Sequence, residues 1–96
     1  MEFEWDDAKN RINQEKHGIS FERAISVFEG FYMVREDNRF DYGERRYLAL
    51  GQVEEVVILA VVYTERNRKT RIISARQANK IEKVIYYEAL RERTDG

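Results

Sequence analysis

Cysteine and proline are both absent from this 96-residue chain, and histidine and tryptophan occur once each. Without cysteine there are no disulfides and no thiolate zinc site, a composition that fits a reducing cytoplasm. A single imidazole, His17, excludes a histidine-based metal cluster, so neither metal nor cofactor is expected. The lack of proline and the presence of only five glycines argue against linkers, low-complexity tails and repeats. No apolar run follows the acidic start Met1-Glu2-Phe3-Glu4-Trp5-Asp6-Asp7, which predicts neither a signal peptide nor a membrane anchor and hence a soluble, cytoplasmic protein. Residues 1–96 form one domain. A domain of this size buries roughly two-thirds of its unfolded surface, enough for one modest core and a shallow surface site rather than an enclosed cavity.

Charge is nearly balanced overall, at −1, but it is not evenly placed. Residues 66–83 set Arg66, Arg68, Lys69, Arg71, Arg76, Lys80 and Lys83 against Glu82, a net +6, whereas residues 1–65 carry a net −6. Such segregation predicts a basic patch on one side of an acidic domain, suited to an RNA or DNA backbone or to an acidic protein partner. The alternative is a hairpin turn kept soluble by its charges, which alone accounts for Arg68 and Lys69.

Along the chain, Phe3 to Trp5 reads as a short apolar edge element. Asp6 or Asp7 then supplies an N-cap for a helix to about His17, ended by Gly18. Ser20 caps a second helix whose Phe21, Ala24, Ile25 and Phe28 recur at i, i+3, i+4, i+7, and Gly30 closes it. A strand begins at Phe31, a turn falls at Asp41-Tyr42-Gly43-Glu44, a second strand runs from Arg45 to Gly51, and another turn lies near Val53-Glu54. Val56 to Tyr63 is uninterruptedly apolar, the pattern of a strand at the sheet centre. After a turn at Arg66-Asn67-Arg68-Lys69 comes the last strand, which passes into a C-terminal helix from about Arg76 to Arg93 with Ala78, Ile81, Ile85 and Ala89 as its buried stripe. Strand, two helices, a four-strand meander and a helix indicate an α+β fold, an antiparallel sheet with the helices on one face.

The junction Arg71-Ile72-Ile73-Ser74-Ala75-Arg76-Gln77-Ala78 is the place to look for a site. Ser74 with Gln77 three residues later forms a capping-box pattern, which puts Arg76 in a first helical turn. Helical projection then aligns Arg76, Asn79, Lys83 and Tyr86 on one flank. A guanidinium, an ammonium and a phenol in a row suit a phosphate-bearing ligand; a solvated helix face explains the same residues.

Several motifs taken together resemble the BrnT toxin family. They are Phe3-Glu4-Trp5-Asp6, then Lys16-His17-Gly18-Ile19-Ser20-Phe21-Glu22 with Ala24 and Phe28 behind it, and Val62-Tyr63-Thr64-Glu65-Arg66 leading to Arg71 through Arg76 with Ala78, Glu82 and Tyr86. The resemblance spans Phe3 to about Tyr87. It implies a RelE-like fold and a metal-independent endoribonuclease that arrests translation. It also implies a BrnA-type antitoxin that neutralises the toxin in a hetero-oligomer and through which operator DNA is reached indirectly. The family's functional pattern carries over onto Arg66, Arg76 and Tyr86. Where the family has Glu-Arg ahead of the tyrosine, this chain has Glu82-Lys83, which turns a bidentate fork into a point charge. Lys83, Arg46, Lys16 and Arg71 are further candidates for holding RNA.

Metal-free cleavage of RNA uses the substrate's own 2′-hydroxyl as nucleophile, so the protein must orient it, stabilise a pentacovalent phosphate and assist proton transfer. Arg66 and Arg76 stay protonated and suit the phosphate. Proton transfer falls to His17, Lys83 or Tyr86, with His17 nearest neutrality. His17 equally suits a helix C-terminus, Tyr86 a half-buried ring, and Trp5 and Tyr63 either base stacking or core packing. A reading of another class stands beside the enzyme: a catalytically inert module that binds its partner within a DNA-binding complex.

Overall fold

The computed structural model describes residues 1–95. Strand β1 (Glu2–Glu4) is followed by α1 (Asp7–His17), α2 (Phe21–Ala24) with a 3₁₀ turn at Ile25–Glu29, strands β2 (Tyr32–Glu36), β3 (Tyr47–Val53), β4 (Val57–Arg66) and β5 (Lys69–Gln77), and helix α3 (Lys80–Asp95). The five strands form one sheet in the order β1-β5-β4-β3-β2. The apolar run of β4 is therefore the central strand, as its composition predicts. The β2 to β5 meander is antiparallel, but β1 pairs with β5 in parallel, Phe3 opposite Thr70, so the sheet is mixed rather than antiparallel. No described helix is long and apolar enough to cross a membrane.

The helix starts and stops follow local chemistry. The Asp6 carboxylate accepts from the Lys9 N–H at 3.0 Å, and the Ser20 hydroxyl accepts from the Arg23 N–H at 3.1 Å. Gly18 ends α1 at φ 70°. Asn67 and Arg68, both at positive φ, make the two-residue turn joining β4 to β5. The structure carries β3 past its expected end at Gly51 to Val53; the 3₁₀ turn lies directly over that glycine, where a Cβ would meet Val27 Cγ1 at 2.5 Å.

Two cores sit on opposite faces of the sheet. Ile19, Phe21, Ala24 and Val27 pack against Ala49, Leu59, Val61, Tyr63 and Ala75 on one face, while Tyr86 and Ala78 pack with Leu48, Leu50, Ile58, Ala60 and Val62 on the other. The expectation of helices on a single face is thus corrected. Alternation along β3 and β4 leaves apolar side chains on both faces, and each face needs its own cover. Helix α1 meets the sheet through polar side chains: Asn13 donates to the carbonyls of Ile19 and Ala75, both at 2.8 Å, and accepts from the Ala75 N–H at 3.1 Å.

The strand-to-helix junction also departs from expectation. Ser74 and Gln77 are not a capping box; they pair with Val62 and Leu59 of β4, so the ladder claims the segment through Gln77. The box lies five residues on, where the Asn79 side chain accepts from the Glu82 N–H at 2.8 Å and Glu82 accepts from the Asn79 N–H at 2.9 Å. Arg76 is therefore a strand residue, and the flank Arg76, Asn79, Lys83, Tyr86 is not one helical stripe. The rotation of α3 differs as well. Glu82 and Tyr86, one turn apart, both bond inward and fix the helix phase, which turns the expected core residues Ile81 and Ile85 outward to 72% and 37% exposure.

Candidate functional site

Cross-strand partners share a face of a sheet. Arg76 pairs with Ala60, a member of the core beneath α3, so its guanidinium rises on the α3 side. There it forms a two-pronged contact with Glu82, at 2.7 and 3.0 Å. Glu82 is buried at 5% exposure. Hydrogen bonding to Arg76 holds its carboxyl below the usual carboxylate range, and the same contact pushes Arg76 further up. One carboxylate thus fixes an arginine rotamer and starts a helix.

Beside this pair lies a cleft of about 360 Å³ lined by Arg35, Glu36, Asp37, Asn38, Arg39, Leu48 and Arg76. Arg35 comes from β2 and Arg39 from the loop that follows. The Asp37 N–H donates to the Arg46 carbonyl at 2.7 Å and closes the base of that loop. Its carboxylate takes two hydrogen bonds from the Arg39 guanidinium, at 2.9 and 3.0 Å, one from the Arg39 N–H at 3.3 Å and one from the Tyr42 hydroxyl at 3.2 Å. The Arg39 contact above all holds the Asp37 carboxyl down at about 2. Arg46 stacks over the Tyr42 ring, 4.0 Å from its centroid. Arg39 and Arg76 lie close enough to repel each other. Arg35 makes no short ion pair with any described residue, so the cleft presents one free guanidinium beside two that are held by carboxylates.

The sequence candidates scatter around this cleft. Arg66 and Arg76 share the α3 side of the sheet. Arg66 closes β4, however, six residues beyond the Ala60 that faces Arg76, roughly 20 Å away. There it bonds Glu44 at 2.6 Å beside a second hollow lined by Glu44, Arg45, Tyr47, Thr64, Glu65 and Arg66. Arg71 faces Glu4 at 3.7 Å. Arg46 lies 3.6 Å from Glu44 and lines neither hollow. Lys83 is exposed on the first turn of α3, outside the cleft lining. Lys16 and His17 are exposed in the last turn of α1, on the opposite side of the sheet. Tyr86 is buried and donates to the Phe31 carbonyl at 3.2 Å. Burial pushes its hydroxyl above the ordinary phenol value, which keeps it protonated at neutral pH. Trp5 stacks edge-on against Phe21, and Tyr63 lies in the core.

The basic segment of residues 66–83 is therefore not one patch. It is drawn out along β5, and Glu4, Glu44 and Glu82 partner Arg71, Arg66 and Arg76. The arginines that join Arg76 in the cleft, Arg35 and Arg39, lie in the acidic part of the chain, where net charge conceals them. Their one local signal is the Asp37-x-Arg39 spacing, which allows a carboxylate and a guanidinium to close a turn together.

The sequence model of a family described as "Ribonuclease toxin, BrnT, of type II toxin-antitoxin system" matches residues 5–82. The match takes in the cleft residues and Arg66 and stops before Lys83 and Tyr86. Among solved structures, the 1.1 Å crystal structure of the Brucella abortus ribonuclease toxin BrnT is similar, with a TM-score of 0.64 and 24% identity over 83% of this chain and 99% of that one. That likeness concerns the fold. No curated protein sequence matches. With its family match extending over most of the domain, the chain belongs to the BrnT family of ribonuclease toxins of type II toxin–antitoxin systems.

Proposed function

We propose that this chain is a metal-independent endoribonuclease with a RelE-like arrangement, which arrests translation in the cytoplasm by cutting RNA at the Arg35–Arg39–Arg76 cleft and is neutralised by a BrnA-type antitoxin. The observation that carries the reading is the convergence of three guanidiniums on one open cleft within a ribonuclease toxin family. Arginine keeps its proton at any working pH and forks onto phosphate oxygens, so the cleft stabilises charge that grows on the phosphate during attack by the 2′-hydroxyl. Asp37 and Glu82 hold Arg39 and Arg76 in place before substrate arrives, which lowers the reorganisation required at the moment of reaction. Glu36, at the edge of the cleft, pairs with Tyr47 on the other face of the sheet and meets Arg45 at 3.7 Å, so it stands apart from the guanidiniums. Arg66, Arg71 and Arg46 extend the binding surface along the RNA backbone.

The purified protein, freed of its antitoxin, should cleave RNA in EDTA, and Arg35→Ala should slow that cleavage without loss of fold. Absence of cleavage by folded protein, with or without added divalent metal, would leave the inert partner-binding module as the better account.

A further inference from the structure

Beside the arginine cleft, α3 carries a solvent-facing apolar stripe. Ile81, Val84 and Ile85 are 72%, 50% and 37% exposed, at the i, i+3, i+4 spacing that in most helices marks a buried side. Next to them runs β2, one of the two edge strands of the described sheet. A narrow groove of about 40 Å³ separates helix from edge; Met33, Leu50 and Ile85 make its apolar wall, and Glu82, whose carboxylate is taken up by Arg76, lies at its side. That is room for one small aliphatic side chain. The groove is continuous with the cleft, since Arg35 and Leu48 line both. An apolar seat and a cationic seat therefore adjoin along one strand edge, the first residing partly on α3, most of which lies beyond the family match ending at residue 82.

We propose that this groove and the β2 edge form the docking site for an extended acidic and apolar segment of the antitoxin. Such a segment adds to the sheet as a sixth strand, sets an aliphatic anchor in the groove and lays a carboxylate on Arg35. The edge supplies unpaired backbone groups, which an added strand satisfies. Met33 and Arg35 stand two residues apart on β2 and on the same side of it, so a strand laid beside them must present its own complementary residues two apart. The signature is an aliphatic residue and an aspartate or glutamate at i and i+2. Charge complementarity selects this occupant over a second copy of the chain, which would bring Arg35 and the neighbouring arginines against their own kind. The carboxylate occupies the place of a substrate phosphate, so docking and inhibition become one event. This inference rests on the toxin reading for its partner, and it adds where that partner lies.

The test uses the full chain and its cognate antitoxin. Ile85→Asp and Ile81→Asp should weaken the complex about a hundredfold or more, as loss of an anchor contact does. Val56→Asp, a change at an exposed apolar residue on the β3–β4 turn, should leave affinity within threefold. All three variants should keep the parent melting temperature, and the two α3 variants should cleave RNA at the parent rate when antitoxin is absent. Amide exchange across Tyr32–Glu36 should slow on complex formation. Unchanged affinity in both α3 variants, or unslowed exchange at β2, overturns the proposal. Unchanged affinity together with loss of a homodimer in Ile85→Asp assigns the groove to a second copy instead. Where the parent cleaves no RNA yet Ile85→Asp sheds antitoxin, the ribonuclease reading fails and the docking site stands. Where the parent cleaves RNA and both α3 variants bind antitoxin unaltered, the ribonuclease stands and the docking site fails.

Discussion

The two ends of the β4–β5 ladder each hold an arginine against a glutamate, and the pairs behave differently. At one end Arg76 grips a buried Glu82 with both arms, and that carboxylate also starts α3. At the other, Arg66 touches a partly exposed Glu44 through a single 2.6 Å contact. The first pair opens onto a cleft with two further arginines. The second opens onto a hollow shared with Glu65 and Arg45. Residue type and strand position are equivalent, so what separates a phosphate clamp from a surface ion pair is how many hydrogen bonds fix the guanidinium and how many cations stand beside it.

The two pairs should differ most in kinetics. Arg76→Ala should lower RNA cleavage roughly a hundredfold to a thousandfold, by analogy with removal of one oxyanion-stabilising donor. Arg66→Ala should lower it less than tenfold, as expected for one backbone contact on an exposed surface. Single-turnover rates at saturating RNA separate the two, and the reverse order would move the reacting phosphate to the Glu44 hollow. Stability should divide the same way. Glu82→Gln removes a buried charge from both a bidentate pair and a capping box, and should cost about 2 kcal/mol, or roughly 10 °C in melting temperature. Glu44→Gln should cost less than about 1 kcal/mol, because its pair is open to solvent.

Acid should separate the cleft from the hollow as well. The Asp37 carboxyl is held at about 2 in the folded protein against an ordinary 3.8, so the stability it adds is complete above about pH 4 and is lost as pH falls towards 2. Asp37→Asn should flatten that limb of the acid-unfolding curve, measured by far-UV circular dichroism. Glu44 is also lowered, by Arg66, and Glu44→Gln should alter the curve from a somewhat higher pH and by less.

Much of this architecture can be read from the residues, and the reasons the remainder cannot are specific. Asp6, Gly18 and Ser20 mark helix ends because their chemistry is local, and the run in β4 marks the sheet centre because burial on both faces leaves no polar alternation. The start of α3 is not legible in that way. Ser74 and Gln77 satisfy a capping pattern, yet their backbone groups are taken by β4, and no local rule registers a partner twelve or more residues away. The rotation of α3 is set by Glu82 and Tyr86, a charge and a phenol that hydrophobic periodicity counts as surface. The cleft is half visible in sequence: Arg76 stands out at its junction, whereas Arg35 and Arg39 reach it only through the β2–β3 connection. Asn13 is wholly hidden, since an asparagine that bonds across to a strand looks in sequence like any polar position on an amphipathic helix.

The smallest expected effects belong to Tyr86 and His17, two of the three side chains that sequence offers for proton transfer. Tyr86 lies on the side of the sheet that bears the cleft, but its hydroxyl is spent on the Phe31 carbonyl and its ring packs against Phe31 at 5.8 Å. Tyr86→Phe keeps the ring and loses one neutral hydrogen bond, so stability should fall by about 1 kcal/mol while cleavage stays within twofold of the parent. His17 stands at the far side of the sheet, in the last turn of α1 with Lys16. His17→Ala should change stability by less than about 0.5 kcal/mol, as expected for an exposed side chain outside any packed contact. The cleavage profile between pH 5 and 8 should be superimposable on that of the parent. A rate loss of tenfold or more in either variant, with a shifted pH profile, would mean that RNA bridges from the cleft to a second face or that Tyr86 turns out of the core.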